Sequence, residues 1–528
     1  MGYLWGVGTS NQVSASGGSV CTDSLGNIYE CGIFRGTMVI GSSTLINADG
    51  SGNTYDIFFV KYDPYGNVLW AQRFGGTGDD AAGLSVDSTG GIFYLQGSFR
   101  SNSLTLGNFT LNNSGGADVF YAKCDLAGNF AWAYSATGTG NDYPADHCND
   151  QFGNLYLTGS FESPTLNFGG NILSNTGYER IYIVKIDPSG NVVWVRSSQG
   201  TNGSQLSKGI DCNNSGELFI IGEFNSTTLT FGSHSIANSG PQNGFVAKYD
   251  VSGNAIWARS IGGTSAQLYA SSITCGDSRE IYITGDLMDH VTAFGNILLT
   301  NSDNNGYNSD GYLARIDSSG NYVWAKSFGY AGCDDGGMSV SFDHYSGNLY
   351  STGYCNGPWI TFDSVMIVKP FCIEGTFLVE HDANGVAICG SILPVEGSVV
   401  TDKNGNVFEA GYFMYDPLYI GSDVLHWNGG YAYFLAKFEG VTGIAPATQR
   451  AVTVAAQPNP SNGKFTIKNP ASEKIKVEIF NSSGLQVMSD EQRVTGDLQF
   501  DISDQPAGIY FVRITNTSLV QIAKVVKE

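Results

Sequence analysis

Basic residues are scarce in this chain. It has 26 Lys and Arg against 48 Asp and Glu, for a net charge of −22. No basic cluster relieves the deficit. A nucleic-acid backbone is held by stripes of Lys and Arg, so nucleic acid is excluded as a partner. Long apolar runs are missing as well. None approaches the eighteen or so residues a membrane-spanning helix needs, and no transmembrane segment is expected. The ten cysteines include no CxxC pair and no zinc-finger spacing, and the six histidines are dispersed without an HExxH. There is no GxSxG elbow, no phosphate-binding GxxxxGK[ST] and no dinucleotide fingerprint in a strand–helix setting. No catalytic residue is therefore assigned, and enzymes are not the favoured class. The opening MGYLWGVGTS has neither a positive nor an apolar leader region. A signal peptide is thus absent from this chain, either removed or never included.

Glycine is abundant (70 residues) and aromatics reach 12%, the composition of turn-rich, well-packed β structure. Its order is periodic. Trp5, Trp70, Trp132, Trp194, Trp257 and Trp324 stand 62 to 67 residues apart, and Cys389 ends a degenerate seventh copy. An aromatic followed three residues later by Gly occurs at Tyr29, Tyr94, Tyr156, Phe219, Tyr282, Tyr350 and Phe408. A long side chain two residues before an acid or its counterpart recurs at Lys61, Lys123, Lys185, Lys248, Arg315, Glu380 and Lys437. Three markers thus count seven units. Within a unit, runs such as NIYECGIF and VLWAQRF read as strands broken by Gly, Asn and Asp.

Four strands per unit predict an all-β fold, a seven-bladed β-propeller of ~63-residue repeats over residues 1–440. The chain opens inside a Trp strand, and its seventh unit ends without one. The N-terminal strand is therefore expected to complete the last blade. In DPYGNVLW and its copies, Asp, Pro and Gly have the composition of a type I turn with a left-handed Gly. The Trp that follows is expected to plug the space between neighbouring blades. Cys21, Cys148, Cys212 and Cys275 fall in the innermost strands and read as small packing residues. An even cysteine count permits disulfides in an oxidising compartment, with pairings that the sequence does not give.

The DxxGN turns alternate with longer loops, which gather on the opposite face and form the expected binding face. There, GGTGDD, GTGND and GYAGCDD place Asp79 and Asp80, Asn141 and Asp142, and Asp334 and Asp335 at corresponding positions. Such residues shape Gly-rich turns, but they could also contact a sugar or hold Ca²⁺. The segment Asn301 to Tyr312, NSDNNGYNSDGY, is a weaker calcium-loop pattern, with Asn for the first Asp and Tyr312 where a Glu is expected. No cofactor is certain, with Ca²⁺ the one ion these loops could take. The ligand class favoured for this face is a glycan or surface protein. A polysaccharide-degrading glycosidase or lyase using funnel-mouth carboxylates, and a structural matrix or adhesin component, stay open beside it.

Composition shifts after Glu439. Residues 441–456 read as a linker, and residues 457–528 alternate apolar and polar positions like a small antiparallel β-sandwich. This segment resembles the type A C-terminal sorting domain of the Bacteroidetes type IX secretion system. The likeness rests on the Pro458, Asn459 and Pro460 opening, the IFNSSGLQV hairpin, PAGIYFVRI with Gly508 and Tyr510, and the tail with Lys524. It implies export through the type IX machinery, by way of the periplasm, to the outer surface or the medium. The repeats in turn resemble the β-propeller repeats of secreted bacterial proteins, DxFVAKxDxxGNxxWARxxGGxxDD. That class implies architecture and no particular activity.

Overall fold

The structure is a computed structural model of the chain. It describes residues 3–8, 14–86, 91–263, 267–288, 290–302, 308–344, 346–363, 365–368, 375–393, 396–401, 406–413, 417–420, 423–426, 432–438, 456–467, 474–481, 486–493, 498–515 and 520–528. The chain divides into two compact units, Met1–Gly443 and Ile444–Glu528. Among the described residues, every regular element in both is a strand.

The first unit is a β-propeller. Among the described residues it contains seven four-stranded antiparallel sheets, numbered here as blades in chain order. Blade 1 is Ala15–Thr22, Ile28–Phe34, Asp56–Tyr62 and Val68–Phe74, and blades 2 to 6 repeat this order. The first strands of successive blades touch one another in sequence, and the first strand of blade 7 touches that of blade 1. Blade 7 takes its fourth strand from the other end of the chain. Tyr3–Gly8 pairs antiparallel with Ala432–Phe438, Trp5 facing Lys437.

The three sequence markers form one row across each blade. Tyr29 faces Lys61, and Lys61 faces Trp70. The Lys61 ammonium lies 4.8 Å from the Tyr29 ring centre. Lys123 over Tyr94, Lys185 over Tyr156, Lys248 over Phe219, Arg315 over Tyr282 and Lys437 over Phe408 repeat the contact. An aromatic face is negative, so it holds a cation that burial would otherwise leave poorly solvated. In blade 6 Glu380 replaces the cation and Cys389 the Trp, so both members change together.

The DxxGN turn serves two purposes. Asp63 accepts the amides of Tyr65 and Asn67, each at 2.9 Å, which closes the turn, and Gly66 has a φ of 86°. The glycine also leaves room for the tryptophan of the preceding blade. A Cβ on Gly253 would lie 2.8 Å from the Trp194 ring, and one on Gly66 would lie 2.9 Å from Trp5. The indole N–H then donates to the same turn, from Trp132 to Pro188 O at 3.2 Å, Trp194 to Val251 O at 3.3 Å and Trp257 to Ser318 O at 3.2 Å. The Trp is thus an inter-blade plug, as its spacing suggested. The turn is its socket.

One element was not legible from the runs. Between the second and third strands of each blade lies a two-stranded hairpin, where the sequence reads as a long loop, and in blade 4 the short strand Gln199–Thr201 adds a third strand to it. Thr37–Ile40 pairs with Ser43–Ile46, and the two residues between them reverse the chain through Gly41 at φ 55°. Its alternate residues Met38, Ile40 and Leu45 are buried against the blade. The signal was present as a recurrent pattern such as SLTLGNFTLN, with strands of only four residues.

The second unit holds a three-stranded and a four-stranded antiparallel sheet. Phe465, Ile467, Ile479, Phe500, Tyr510 and Val512 fill the core of this small sandwich.

Two substitutions test the blade joint. Trp194→Ala should cost about 3–5 kcal/mol of stability, since the side chain is only 8% exposed. Gly253→Ala should also destabilise, by roughly 1–3 kcal/mol from overpacking and backbone strain. Urea unfolding of the 1–443 unit reads both, and an unchanged midpoint in either variant would contradict the socket.

Candidate functional site

The paired polar residues on the long-loop face divide by position. Asp80, Asp142 and Asp335 each begin the first strand of a blade, and each is buried to 1% exposure or less. Asp80 accepts Gly76 N at 2.8 Å, Ser101 Oγ at 2.6 Å, Arg100 N at 3.1 Å and Ser101 N at 3.2 Å. Asp142 accepts Ser163 Oγ at 2.6 Å and Ser163 N at 3.2 Å. Asp335 accepts Tyr330 N at 2.6 Å and Asn356 N at 3.0 Å. These carboxylates tie an inter-blade loop to the end of the second strand. Their partners offset only part of the desolvation cost. Burial pushes Asp80 and Asp142 up from the usual carboxylate range and takes Asp335 to about 6.

Asp79, Asn141 and Asp334 precede those strands and remain outside them. Asp79 Oδ1 accepts Tyr55 N and Asp334 Oδ1 accepts Ser309 N, both at 3.0 Å. Asn141 donates to Glu162 Oε2 at 3.1 Å. The structure thus puts one member of each pair inward as a staple and leaves its neighbour near solvent. Asp303, Asn305 and Gly306 of the calcium-loop pattern lie outside the described residues. Of the rest, Asn301 binds the backbone oxygens of Leu287 and Asn308, at 3.0 and 2.9 Å, and Tyr312 is a fully buried core residue.

Sequence reasoning did not anticipate a recess of about 320 Å³ on the first strands of blades 1 to 3. It exists because blade 2 supplies Ala81, Ala82 and Gly83 where bulkier residues would close the space. Tyr143 and Pro144 form one wall, and Asp146 and His147 lie deeper along the same strand. Tyr143 is 36% exposed, and its hydroxyl accepts from Arg100 at 2.7 Å. Gln96 lines the opposite side with only 4% exposure, and its Oε1 has no partner among the described residues. A buried amide oxygen without a donor costs roughly 1–3 kcal/mol, which a ligand hydroxyl would recover.

Two titratable groups sit at the recess. His147 Nε2 lies 3.3 Å from Tyr94 O, so that nitrogen carries the proton. Burial holds the imidazole neutral, down at about 4. Asp146 accepts Ile210 N at 3.0 Å and His147 N at 2.8 Å, and burial still raises it to about 7. A second raised acid, Asp286, is half-buried between blades 5 and 6. It accepts Tyr354 Oη at 2.8 Å and also stands at about 7, chiefly through desolvation. Among the described residues, one group of three thiol and carboxylate ligands lies close together: Cys148, Asp211 and Cys212, all within 4.8 Å.

In the second unit, Tyr510 is buried and donates to Pro506 O at 2.7 Å, and Asn459 Oδ1 accepts Val526 N at 2.8 Å. Gly508 opens the strand that pairs with the last one, where Lys524 faces Phe511. Pro458 and Pro460 both follow cis peptide bonds. Residues 456–528 match the family described as the secretion system C-terminal sorting domain. The tail is a secretion sorting domain. It addresses the chain to the type IX secretion machinery, and hence to the cell surface or beyond. No helix among the described residues is long and apolar enough to cross a membrane.

Among curated proteins, the chain is similar to an uncharacterized WD repeat-containing protein of Acanthamoeba polyphaga mimivirus. The two are 24% identical over 514 residues, covering 79% of this chain and 36% of the relative. The chain thus spans about a third of that protein's length. Among solved structures, a member of the duf4221 family from Bacteroides vulgatus covers 83% of this chain and 98% of its own, at 8% identity and a TM-score of 0.29. A family 32 glycoside hydrolase from Bifidobacterium adolescentis covers 100% of this chain and 78% of its own, at 9% identity and a TM-score of 0.23. Neither structural likeness is close enough to bear on activity.

Two predictions follow from these groups. A carboxyl whose folded pKa is raised stabilises the fold fully below the ordinary carboxylate range, and that stability is lost as pH rises through the folded value. With Asp335 at about 6 and Asp146 and Asp286 at about 7, the propeller should melt higher at about pH 5 than at about pH 8. Asp286→Asn should flatten that slope, and calorimetry across this range checks both. Removal of residues 456–528 should leave a folded propeller in the periplasm, and fractionation showing normal export of the truncated chain would contradict the address.

Proposed function

We propose that this protein is a binding module exported to the outer surface, and that its propeller takes the end of a neutral glycan in the recess on blades 1 to 3. The observation that carries this reading is the unpartnered, buried Oε1 of Gln96 in a recess of about 320 Å³ with a mixed polar and apolar lining. That volume suits a small ligand held on a rigid scaffold. An acceptor that lacks a donor selects a hydroxyl or amide. Tyr143 offers a half-exposed ring that a sugar face can cover, with its hydroxyl fixed by Arg100. Asp79, Asn141 and Asp334, on the loops of the long-loop face, are proposed as outer contacts for a longer chain, with Asp80, Asp142 and Asp335 holding those loops in place. The same loops are proposed to take Ca²⁺ when it is present.

The glycosidase or lyase reading is weaker. Hydrolysis of a glycosidic bond ordinarily uses two facing carboxyl groups. Among the described residues lining the recess, Asp146 is the one acid, and backbone amides already hold both of its oxygens.

The test is thermal unfolding of the full chain against bacterial, plant and algal glycans, with and without calcium. A ligand at a hundred times its Kd should add about 2.7 kcal/mol. Ala82→Trp should fill the recess and abolish the shift, and Tyr143→Ala should weaken it. A shift that survives Ala82→Trp moves the site elsewhere, and no shift with any glycan leaves a surface protein as the ligand class to pursue.

A further inference from the structure

The cysteines on the first strands do more than pack. Cys148 lies near the end of the first strand of blade 3, and Cys212 ends the first strand of blade 4. These two strands run side by side, and their offset is fixed two residues earlier, where Asp146 Oδ2 accepts Ile210 N at 3.0 Å. The same offset carries Cys148 to Cys212, and the two Sγ atoms come within 4.8 Å of each other. Asp211, the third member of the cluster, is already engaged. Its Oδ1 accepts Cys212 N at 2.7 Å and its Oδ2 accepts Cys275 N at 2.8 Å. That carboxylate is therefore a positioning group for the cysteine-bearing strands, and the chemistry left between the two blades belongs to the thiols.

We propose that Cys148 and Cys212 form a disulfide joining blades 3 and 4 when the exported chain meets an oxidising compartment. Two independent observations meet here: the approach of two thiols on separate blades, and a sorting tail that sends the chain out of the reducing cytosol. Exposure sets the order of attack. Cys212 is half-exposed and Cys148 is buried. The Cys212 thiolate attacks a disulfide-bearing oxidant, forms a mixed disulfide and releases one oxidant thiol. The Cys148 thiolate then attacks the Cys212 sulfur from within the protein, and the second oxidant thiol leaves. The two cysteine protons pass to those two thiols, so two protein S–H bonds and one oxidant S–S bond become one protein S–S bond and two oxidant S–H bonds. The buried partner never needs to reach the oxidant.

This bond would form at a seam that the Trp194 plug already closes farther from the first strands. The other inner-strand cysteines are placed differently. Cys21 is buried on blade 1, in a cluster that includes Cys31 and Cys124, and Cys275 reaches toward Asp211 from blade 5.

The test is peptide mapping of the full chain refolded in a glutathione redox buffer, alkylated and digested with trypsin without reduction. Cleavage after Lys123 and Arg180, and after Lys208 and Lys248, should yield residues 124–180 linked to residues 209–248. Because the first peptide also carries Cys124, the link should survive Cys124→Ser and vanish in Cys148→Ser. Dithiothreitol should lower the melting temperature of the wild type but not of Cys148→Ser. Alkylated thiols at both positions, a link through Cys124 or Cys275, or thiols that remain free and take up Cd²⁺ with a thiolate charge-transfer band would each overturn the proposal.

Discussion

The propeller depends on one contact: a tryptophan seated on a glycine of the next blade's turn. Sheets with one apolar face toward each neighbour could slide or splay, because burial alone has no direction. The indole removes that freedom. Its flat face fits only where the turn lacks a Cβ, and its N–H bonds only to one carbonyl of that turn. The cation–aromatic row beneath it fixes the Trp strand against the middle of its own blade. Each blade is thereby both plug and socket, and the angle between blades is set by covalent stereochemistry as much as by packing.

This explains which parts were legible in the sequence. Trp, Lys, the aromatic and the DxxGN turn occupy positions where one residue type satisfies a steric or electrostatic demand, so they recur with a readable period. Blade 6 is instructive because Glu380 and Cys389 change as a pair, which marks the row as a physical unit. The hairpins were harder to see because strands of four residues leave too short an alternation to separate from a polar loop. Their Gly41, Gly107 and Gly169, all with positive φ, were the available signal.

The candidate site was less legible, for a different reason. Asp79 and Asp80 look alike on paper. One precedes the strand and the other begins it, so their side chains leave the backbone on different sides, one toward solvent and one into the joint. The recess, in turn, is made by what is small. Ala81, Ala82 and Gly83 carry no chemistry of their own, and only the approach of three blades turns their lack of volume into space that Gln96 and Tyr143 can use. A pattern search finds groups that are present. It has no way to register a cavity.

The composite seventh blade also has a meaning in time. Tyr3–Gly8 is the first of the described strands to be synthesised and, with its partner Ala432–Phe438, forms the pairing most distant in sequence within the propeller. Until that partner emerges, the first strand is an unpaired edge and the ring is an arc with two open ends. Pairing across such a separation is slow and leaves edges exposed. For a chain whose address lies after the last blade, this delay is an advantage. The ring cannot lock before its final strand exists, and by then the sorting domain is the next segment to follow. Topology thus ties closure of the ring to the synthesis of its last strand.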